Sequence, residues 1–366
     1  PERIAELYQA VEGVENAQAV VEDTWLESGD SILAAPPLYT FTIGWGDCPS
    51  SCEYHKSWVF SVENETVTLT DEFFHGFTPE EVNTGSVQMR EDIHLYGGFA
   101  GNETLRDQRD WLGHTTVIDG SKALDGGTAA HAVVGADNAT LDGFTVQGVD
   151  TVLQSHVALE DTRHAGGGML NILTSPVVRN CRFEGNAVMG NGGGMYNYRC
   201  TPTVSDCTFK DNSVYGNGGG MCNNGATPSL TRCSFENNGA STMTFGSRGG
   251  GMYNLEGAAP NIDNCLFSGN WASAGGGGVF SEDSQLTVTA SVFEGNAAGP
   301  SPGPHSGAGI LLQYGTAAIT NCVFANNSAA NGAGLRSTYA ESLTITNCTF
   351  AYNKAAEGIP DTVYGG

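Results

Sequence analysis

Cys181-Arg-Phe-Glu-Gly-Asn186 is the first of seven copies of one short phrase that ends at Asn353. The consensus is Cys-x-Phe-x-x-Asn, and Ser291 is the one residue that replaces its first Cys. The phenylalanines of the seven copies are Phe183, Phe209, Phe235, Phe267, Phe293, Phe324 and Phe350. The steps between them are 26, 26, 32, 26, 31 and 26 residues. A fixed period with two longer steps predicts stacked structural units that gain length only in loops.

A glycine-rich tetrad recurs in phase with this phrase and reads Gly192-Gly-Gly-Met195 in a typical copy. The last residues of its copies are Met169, Met195, Met221, Met252, Val279, Ile310 and Leu335. From this last residue to the next Cys, or to Ser291, is always 12 or 13 residues. The length variation therefore falls after Phe-x-x-Asn and before the glycines, at one corner of each unit.

The residues between the two phrases predict short β-strands. Segments such as Thr203–Phe209 and Leu343–Phe350 alternate apolar with polar residues and are rich in β-branched side chains. No unit contains an apolar stretch at helical spacing that is long enough for a solenoid helix. A unit of 26 residues holds two or three short strands, each pairing in parallel with its copy ~4.8 Å away. The predicted fold is all-β, a right-handed parallel β-helix.

Like residues stack on like residues in such a coil. The asparagines that end each phrase are expected to form a ladder at a turn, where Asn tolerates a left-handed backbone. They are Asn186, Asn212, Asn238, Asn270, Asn296, Asn327 and Asn353. The repeat cysteines are Cys181, Cys207, Cys233, Cys265, Cys322 and Cys348. Their Cβ vectors run parallel, which predicts buried thiols acting as small apolar fillers rather than disulfides.

The two phrases carry a family resemblance. Gly192-Gly-Gly-Met195 and Phe183-Glu-Gly-Asn186 resemble the repeats of chlamydial polymorphic outer-membrane proteins and related bacterial surface β-helix proteins. Upstream, Tyr96–Glu103 followed by Gln108–Trp111 is similar to the first coils of that broader secreted class. The resemblance covers roughly residues 92 to 366 and implies a bacterial surface β-helix. It implies no particular activity, because β-helices carry lyases, hydrolases, adhesins and fibre proteins alike.

The N-terminal residues 1–72 differ in pattern and predict a small α+β domain or cap. Residues 1 to about 35 place apolar side chains near helical spacing, and three segments beyond them alternate like antiparallel strands. These are Tyr39–Ile43, Trp58–Val62 and Thr66–Thr70. Residues 73–91 are interpreted as a linker and residues 92–366 as the β-helix, in which Phe144-Thr-Val-Gln147 is a degenerate Phe-x-x-Asn with Gln at the ladder position.

The charge balance limits the partners of the protein. Forty acidic and fifteen basic residues give a net charge of -25, which disfavours nucleic acid and anionic membranes. The sequence contains no apolar run of 18 residues, so no membrane-spanning helix is predicted. The start at Pro1 fits a mature product. We expect an extracellular or cell-surface protein without a bound cofactor, whose acidic surface attracts calcium if any cation.

Four cysteines outside the repeat register are disulfide candidates. Cys48 pairs plausibly by sequence with Cys52, and Cys200 with Cys222, as in secreted proteins. A zinc site at Cys48, Cys52 and His55 is the weaker interpretation, because no fourth ligand is evident.

Catalytic signatures are missing from the repeats. Charged residues follow four of the seven repeat phenylalanines and are isolated on outward positions, whereas a β-helix hydrolase needs paired or triple carboxylates on one strand face. They are Glu184, Lys210, Glu236 and Glu294. The leading prediction is therefore a non-catalytic surface or fibre protein. A carbohydrate-active enzyme and a glycan- or protein-binding module are the alternatives.

Two surfaces are predicted to contact partners. The last coil is expected to dock head-to-tail on the next copy, because an open β-helix end exposes unpaired backbone groups. The insertions at about residues 148–165, 239–248 and 297–306 all fall at the same corner, where solenoids often bind. Their charged and titratable residues are expected to hold an anionic ligand, such as an acidic glycan or a partner's carboxylates. These residues are His156, Asp161, Arg163, His164, Arg248 and His305.

Overall fold

The computed structural model describes residues 31–35, 38–45, 54–63, 66–75, 87–121, 128–152, 165–241, 246–299 and 306–355. The chain divides into two units, Pro1–Asn83 and Thr84–Gly366. The predicted linker at 73–91 contains strand residues, because one strand continues to His75 and a two-residue strand spans Val87–Gln88.

The N-terminal unit contains a four-stranded antiparallel sheet in sequential order. Its strands are Ser31–Ala35, Leu38–Trp45, Tyr54–Glu63 and Thr66–His75. The three predicted strands are confirmed, but the helical interpretation is wrong at its C-terminal end. Ser31–Ala35 pairs with the second strand, with Ser31 opposite Thr42 and Ala35 opposite Leu38, so cross-strand pairing overrides the local apolar spacing. Residues 1–30 lie outside the described residues.

Between Val87 and Ala355 the described residues form a right-handed parallel β-helix, which confirms the predicted fold class, although its first strand lies before the predicted start at residue 92. Each complete coil contributes one strand to each of four parallel sheets, which we number I to IV in the order in which a coil meets them. Sheet I follows the glycine tetrad, sheet II precedes the cysteine corner, sheet III carries the repeat phenylalanines, and sheet IV follows the repeat asparagines. Because of the two-residue strands of sheet IV, a complete coil has four strands, whereas two or three were expected.

The strand bounds follow the repeat. Sheet I consists of Val87–Gln88, Val133–Val134, Met169–Ile172, Met195–Tyr198, Met221–Asn224, Met252–Leu255, Val279–Glu282, Ile310–Gln313 and Leu335–Thr338. Sheet II consists of His94–Tyr96, Thr140–Asp142, Val177–Arg179, Thr203–Ser205, Ser229–Thr231, Asn261–Asp263, Gln285–Thr289, Thr316–Thr320 and Ser342–Thr346.

The remaining two sheets complete the coil. Sheet III consists of Thr116–Asp119, Phe144–Gln147, Arg182–Glu184, Thr208–Lys210, Ser234–Glu236, Leu266–Ser268, Val292–Glu294, Val323–Ala325 and Thr349–Ala351. Sheet IV consists of Ala187–Val188, Ser213–Val214, Gly239–Ala240, Trp271–Ala272, Ala297–Ala298, Ser328–Ala329 and Lys354–Ala355. A 3-10 helix, Arg106–Gln108, lies between the first strands of sheets II and III. Within the described ranges, no helix is long and apolar enough to cross a membrane.

The repeat phenylalanines form the central stack of the core. Neighbouring rings lie nearly parallel, with centroids 4.6 to 4.9 Å apart. All are fully buried except Phe350 in the last coil. Burying each such ring contributes about 1.5–3 kcal/mol, so the stack is the main apolar contribution of sheet III.

The third glycine of the tetrad explains why the two phrases stay in phase. A Cβ at Gly220 would lie 2.9 Å from the Phe235 ring and 2.6 Å from the carbonyl oxygen of Gly251. The same ring contact recurs at the third glycine of every tetrad from Gly168 to Gly334. The phenylalanine of sheet III therefore packs on the bare backbone that leads into sheet I.

The predicted asparagine ladder is confirmed. At Asn212, both the backbone N–H and Nδ2 donate to Oδ1 of Asn238, at 3.2 and 3.0 Å, and Nδ2 also donates to the carbonyl of Phe183 at 2.8 Å. The left-handed backbone, however, belongs to the residue before each Asn, such as Asp211 with φ 52°.

The ladder begins later than the sequence suggested, because Phe144-Thr-Val-Gln147 is offset. Val146, not Phe144, is in register with Phe183. The backbone N–H of Val149 accordingly donates to Oδ1 of Asn186 at 3.3 Å, and Gln147 is not a rung.

A second asparagine ladder runs inside the coil from sheet I and was not predicted. Nδ2 of each residue donates to Oδ1 of the next at 2.8 Å. Its members are Asn171, Asn197, Asn223 and Asn254. Ser281 is the next residue in register, but its hydroxyl is too short to continue the chain. Nδ2 of Asn254 and Oγ of Ser281 are both buried without a partner.

The repeat cysteines are free, as predicted, and all but the half-buried Cys348 are buried. They are more than fillers, because each thiol hydrogen-bonds across its corner. Sγ of Cys207 donates to the carbonyl of Ser205 at 3.2 Å, across Asp206 with φ 55°. Ser291 uses its hydroxyl in the same way, donating to the carbonyl of Thr289 at 2.8 Å. This shared hydrogen bond explains why Ser is able to replace Cys there.

Candidate functional site on the outer face of sheet I

The predicted binding corner lies between sheets IV and I. His156, Asp161, Arg163, His164 and His305 lie outside the described residues. Arg248 is the one residue of the predicted set that the structure describes. It lies at this corner, where its backbone forms an isolated parallel β-bridge with Gly275.

Arg248 is held by the chain itself. Its backbone N–H donates to Oδ1 of Asn217 at 2.9 Å. Its guanidinium donates to Oε2 of Glu282 at 3.2 Å and lies 4.9 Å from the centre of the Phe280 ring. Because Glu282 already balances this charge, Arg248 is a weak centre for the anionic ligand that the sequence predicted.

Glu282 belongs to an outer face with aromatic residues that was not predicted from the sequence. On sheet I, the side chains that point away from the core of the β-helix form one buried column. They are Leu170, Tyr196, Cys222, Tyr253, Phe280 and Leu311. The hydroxyl of Tyr253 donates to Oε2 of Glu282 at 2.8 Å. Large apolar residues one position after the tetrad, at an outward register, were the available signal.

The titratable groups of this column stay neutral. Burial raises the pKa of Tyr196 and Tyr253 above the usual phenol range. Burial also raises the pKa of the Cys222 thiol, with a further contribution from Glu256. These residues therefore act as hydrogen-bond donors and apolar surface, and Cys222 is a poor thiolate nucleophile.

The predicted disulfide between Cys200 and Cys222 is wrong, because both thiols are free and buried. Cys222 is in register with Tyr196 in the outer column, whereas Cys200 lies in the corner that follows sheet I. There Sγ of Cys200 faces the carbonyl of Asn171 at 3.8 Å, and burial raises its pKa to about 12. The two sulfurs belong to different columns of the coil. Cys48 and Cys52 lie outside the described residues.

The turn after sheet I carries side chains in a left-handed backbone conformation. Glu256, Asp283, Tyr314 and Tyr339 have φ values of 53°, 47°, 59° and 57°. The rings of Tyr314 and Tyr339 stack with centroids 5.6 Å apart and planes 17° apart. They are 46% and 71% exposed, so this turn presents a paired aromatic surface to solvent.

An open depression of ≈ 510 Å³ lies beside this turn. It is lined by Leu255, Glu256, Glu282, Asp283, Tyr314 and Glu341. Four of the six are carboxylates, so the depression is strongly acidic. Across the part of the chain that the structure describes, no group of three or more His, Cys, Asp or Glu is arranged to hold a metal ion.

Comparison with known families agrees with this architecture. A family model described as "Right handed beta helix region" matches residues 111–249 and 241–360, which together span more than half of the chain. No curated protein and no solved structure has significant similarity to this chain.

Proposed function

Since this chain belongs to the right-handed β-helix family, we propose that it is a non-catalytic extracellular or cell-surface structural protein whose last coil associates head-to-tail with a second copy. The last described coil supports this assembly. Phe350 and Ile345 are 46% and 43% exposed, whereas Phe324 and Ile319, their stacking partners, are fully buried. The strands of this coil also carry an unpaired edge among the described residues, and such edges accept added strands.

The coil end presents hydrogen-bond donors that suit one more coil. Asn327 donates from its backbone N–H and from Nδ2 to Oδ1 of Asn353, at 3.1 and 2.8 Å. A further coil that presents an amide oxygen would receive the same pair of donors from Asn353. A second copy satisfies the unpaired backbone groups and covers the apolar end in one step.

The non-catalytic part of the proposal is supported by the partners of the charged repeat residues. Glu184 pairs with Arg182 at 2.7 Å, and Lys210 lies 3.9 Å from Glu184. On the outer face of sheet I, Glu282 is held by Arg248 and Tyr253. Glu184 and Glu282 are thus both engaged by donors of the chain itself, which supports a structural role for them.

The test of assembly compares Phe350→Asp with Val323→Asp in the full chain. Both changes place a carboxylate on an exposed apolar position, but Phe350 lies on the open coil end and Val323 on the outer face of sheet III. We expect wild type and Val323→Asp to form oligomers whose mass rises with concentration, by light scattering and electron microscopy. We expect Phe350→Asp to remain monomeric.

A monomeric wild type at high concentration would contradict the assembly, and amide hydrogen exchange would then show whether residues 342–351 are protected in the monomer. That protection would mean that the chain covers its own last coil. Incubation with neutral and acidic polysaccharides tests the non-catalytic assignment, and any depolymerisation by the purified wild type would refute it.

A further inference from the structure

The depression beside sheet I has a donor-poor, acceptor-rich lining. Within the described residues, the carboxylates of Glu256, Asp283 and Glu341 have no Lys or Arg within ion-pair distance. Glu282 alone is paired, with Arg248. The lining therefore carries uncompensated negative charge, which favours binding of a positively charged ligand.

The aromatic pair at its rim adds a second requirement. Tyr314 lines the depression and stacks on Tyr339. The turn after sheet I has a residue with positive φ at this position in successive described coils, and Tyr314 and Tyr339 place aromatic rings there. Earlier in the chain the same turn position is occupied by residues such as Arg199 and Glu256. An exposed aromatic face next to carboxylates favours cations through their attraction to the ring.

A buried acceptor without a donor lies in the same column. Gln313 is in register with Glu282, so its side chain points to the same outer face. It is only 9% exposed, and its Oε1 has no hydrogen-bond partner. Such an oxygen is costly to leave unpaired, and it adds a further acceptor to the outer face beside the depression, although Gln313 is not one of the lining residues.

The chain itself already places a guanidinium in this kind of surrounding. Arg248 lies between the Phe280 ring, at 4.9 Å, and the Glu282 carboxylate, at 3.2 Å. An incoming guanidinium between the Tyr314 ring and the carboxylates of Asp283 and Glu341 would have the same two kinds of neighbour. Guanidinium groups suit this site because they are planar, weakly hydrated and able to bind carboxylates in pairs.

We infer that this depression binds arginine or lysine side chains from a basic segment of a partner polypeptide. The inference concerns the outer face of sheet I and stands apart from the assembly through the last coil. A monomeric chain that still binds basic peptides would refute the assembly and leave this inference intact.

The test measures binding of hexaarginine, hexalysine and hexaglutamate peptides to the full chain by calorimetry at 50 and 150 mM salt. The variant Glu256→Gln/Asp283→Asn/Glu341→Gln removes three charges from the depression. Its matched control, Asp211→Asn/Glu236→Gln/Glu294→Gln, removes three charges from the sheet III side. Each change replaces a carboxylate with its isosteric amide, so the side chains at positions 211, 256 and 283, where φ is positive, keep their size and shape.

We expect hexaarginine to bind more tightly than hexalysine, and hexaglutamate not to bind. Loss of three exposed charge contacts should weaken hexaarginine binding about tenfold in the depression variant and less than about twofold in the control. Tyr339→Ala should weaken it by a further factor of about two to five. Circular dichroism confirms that each variant keeps its β-structure.

Three outcomes would overturn the inference. Equal weakening in the depression variant and its control would mean diffuse attraction to an acidic protein. Spermidine binding as tight as that of hexaarginine, with the same loss in the depression variant, would point to a small polyamine. Calcium binding that disappears in the depression variant, while hexaarginine binding is unchanged, would identify a metal site instead.

Discussion

The third glycine of each tetrad has no room for a side chain. Because it has none, the phenylalanine of sheet III packs directly against the backbone that leads into sheet I. At Gly220 an added Cβ meets both a ring and a backbone oxygen, and backbone cannot move aside as a flexible side chain does. Gly239, in sheet IV, offers a contrast because nothing lies within 4 Å of the position of its Cβ. The two glycines lie in the same coil, but only Gly220 is closely packed at the position of an added Cβ.

We expect Gly220→Ala to lower the stability of the β-helix by about 1–3 kcal/mol, because the core is already filled at that point. Gly239→Ala should change stability by less than about 1 kcal/mol, and in the stabilising direction, because the unfolded chain loses freedom. The measurement is thermal unfolding followed by circular dichroism. Equal losses in the two variants would mean that glycine acts through backbone freedom alone.

Some residue-level features were predictable from the sequence and others were not. The Phe and Asn columns follow from one phrase at a fixed period. The inner ladder had a comparable signal, since Asn171, Asn197, Asn223 and Asn254 all lie two residues after the tetrad. The prediction of a disulfide between Cys200 and Cys222 was wrong because spacing along the chain does not show which column of the coil a residue joins.

The segment between the first strands of sheets II and III is held by buried charge. Asp142 is fully buried and pairs with Arg109, and it accepts from Nε of Arg179 and Nδ2 of Asn180, both at 2.8 Å. Arg109 also donates to the carbonyls of Gly97 and Asp142, at 3.1 and 3.0 Å. This cluster joins residues far apart in sequence, so no local motif revealed it.

The cluster makes this segment sensitive to acid. Burial alone would raise the pKa of Asp142, but hydrogen bonds from Arg109, Asn180 and Arg179 outweigh it and lower the pKa. A depressed carboxyl pKa contributes stability that is complete above the unfolded value of about 3.9 and is lost as pH falls through the folded value. The segment should therefore hold at neutral pH and open below about pH 4.

We expect Asp142→Asn to destabilise this segment at pH 7 by roughly 3 kcal/mol, because it leaves the buried Arg109 without its counter-charge. Amide exchange reports the loss at Gly97, whose N–H donates to the carbonyl of Asp142, and at Asp110, whose N–H donates to the carbonyl of Gly98. The variant should also lose most of the acid dependence seen in wild type.

Asp206→Asn is the control, because Asp206 forms an exposed pair with Arg232 at 2.6 Å. That change should leave exchange at Gly97 and Asp110 unaltered. Unchanged exchange in Asp142→Asn as well would show that the segment is held by other contacts.

The order of the elements was predictable because each coil repeats the last one. From Met169 onward, the four-residue strands of sheet I and the short strands of sheet II follow from the spacing of two phrases. The turn after sheet I was not predictable in the same way, since its residues change from Leu173 and Arg199 to Tyr314 and Tyr339. A position without a repeated residue gives no periodic signal, and the candidate site lies at that position.

Across the whole β-helix, stability is a sum of coils and of the contacts between neighbouring coils. The phenylalanine stack makes this arrangement visible, because each inner ring contacts one ring above and one below. Phe267 lies between Phe235 and Phe293, with centroids 4.6 and 4.9 Å away. Phe350 contacts Phe324 alone among the described rings, at 4.7 Å.

The same substitution should therefore have different costs along the stack. We expect Phe267→Ala to lower stability by about 3–5 kcal/mol, because it opens a cavity between two coils. Phe350→Ala should cost less than half as much in the monomer, because its ring is already 46% exposed. Amide exchange resolved by coil should show opening on both sides of position 267, and opening confined to the last coil for position 350. Equal costs in dilute monomer would mean that Phe350 is covered there as completely as Phe267, and that the coil end is closed by the chain's own residues rather than by a second copy.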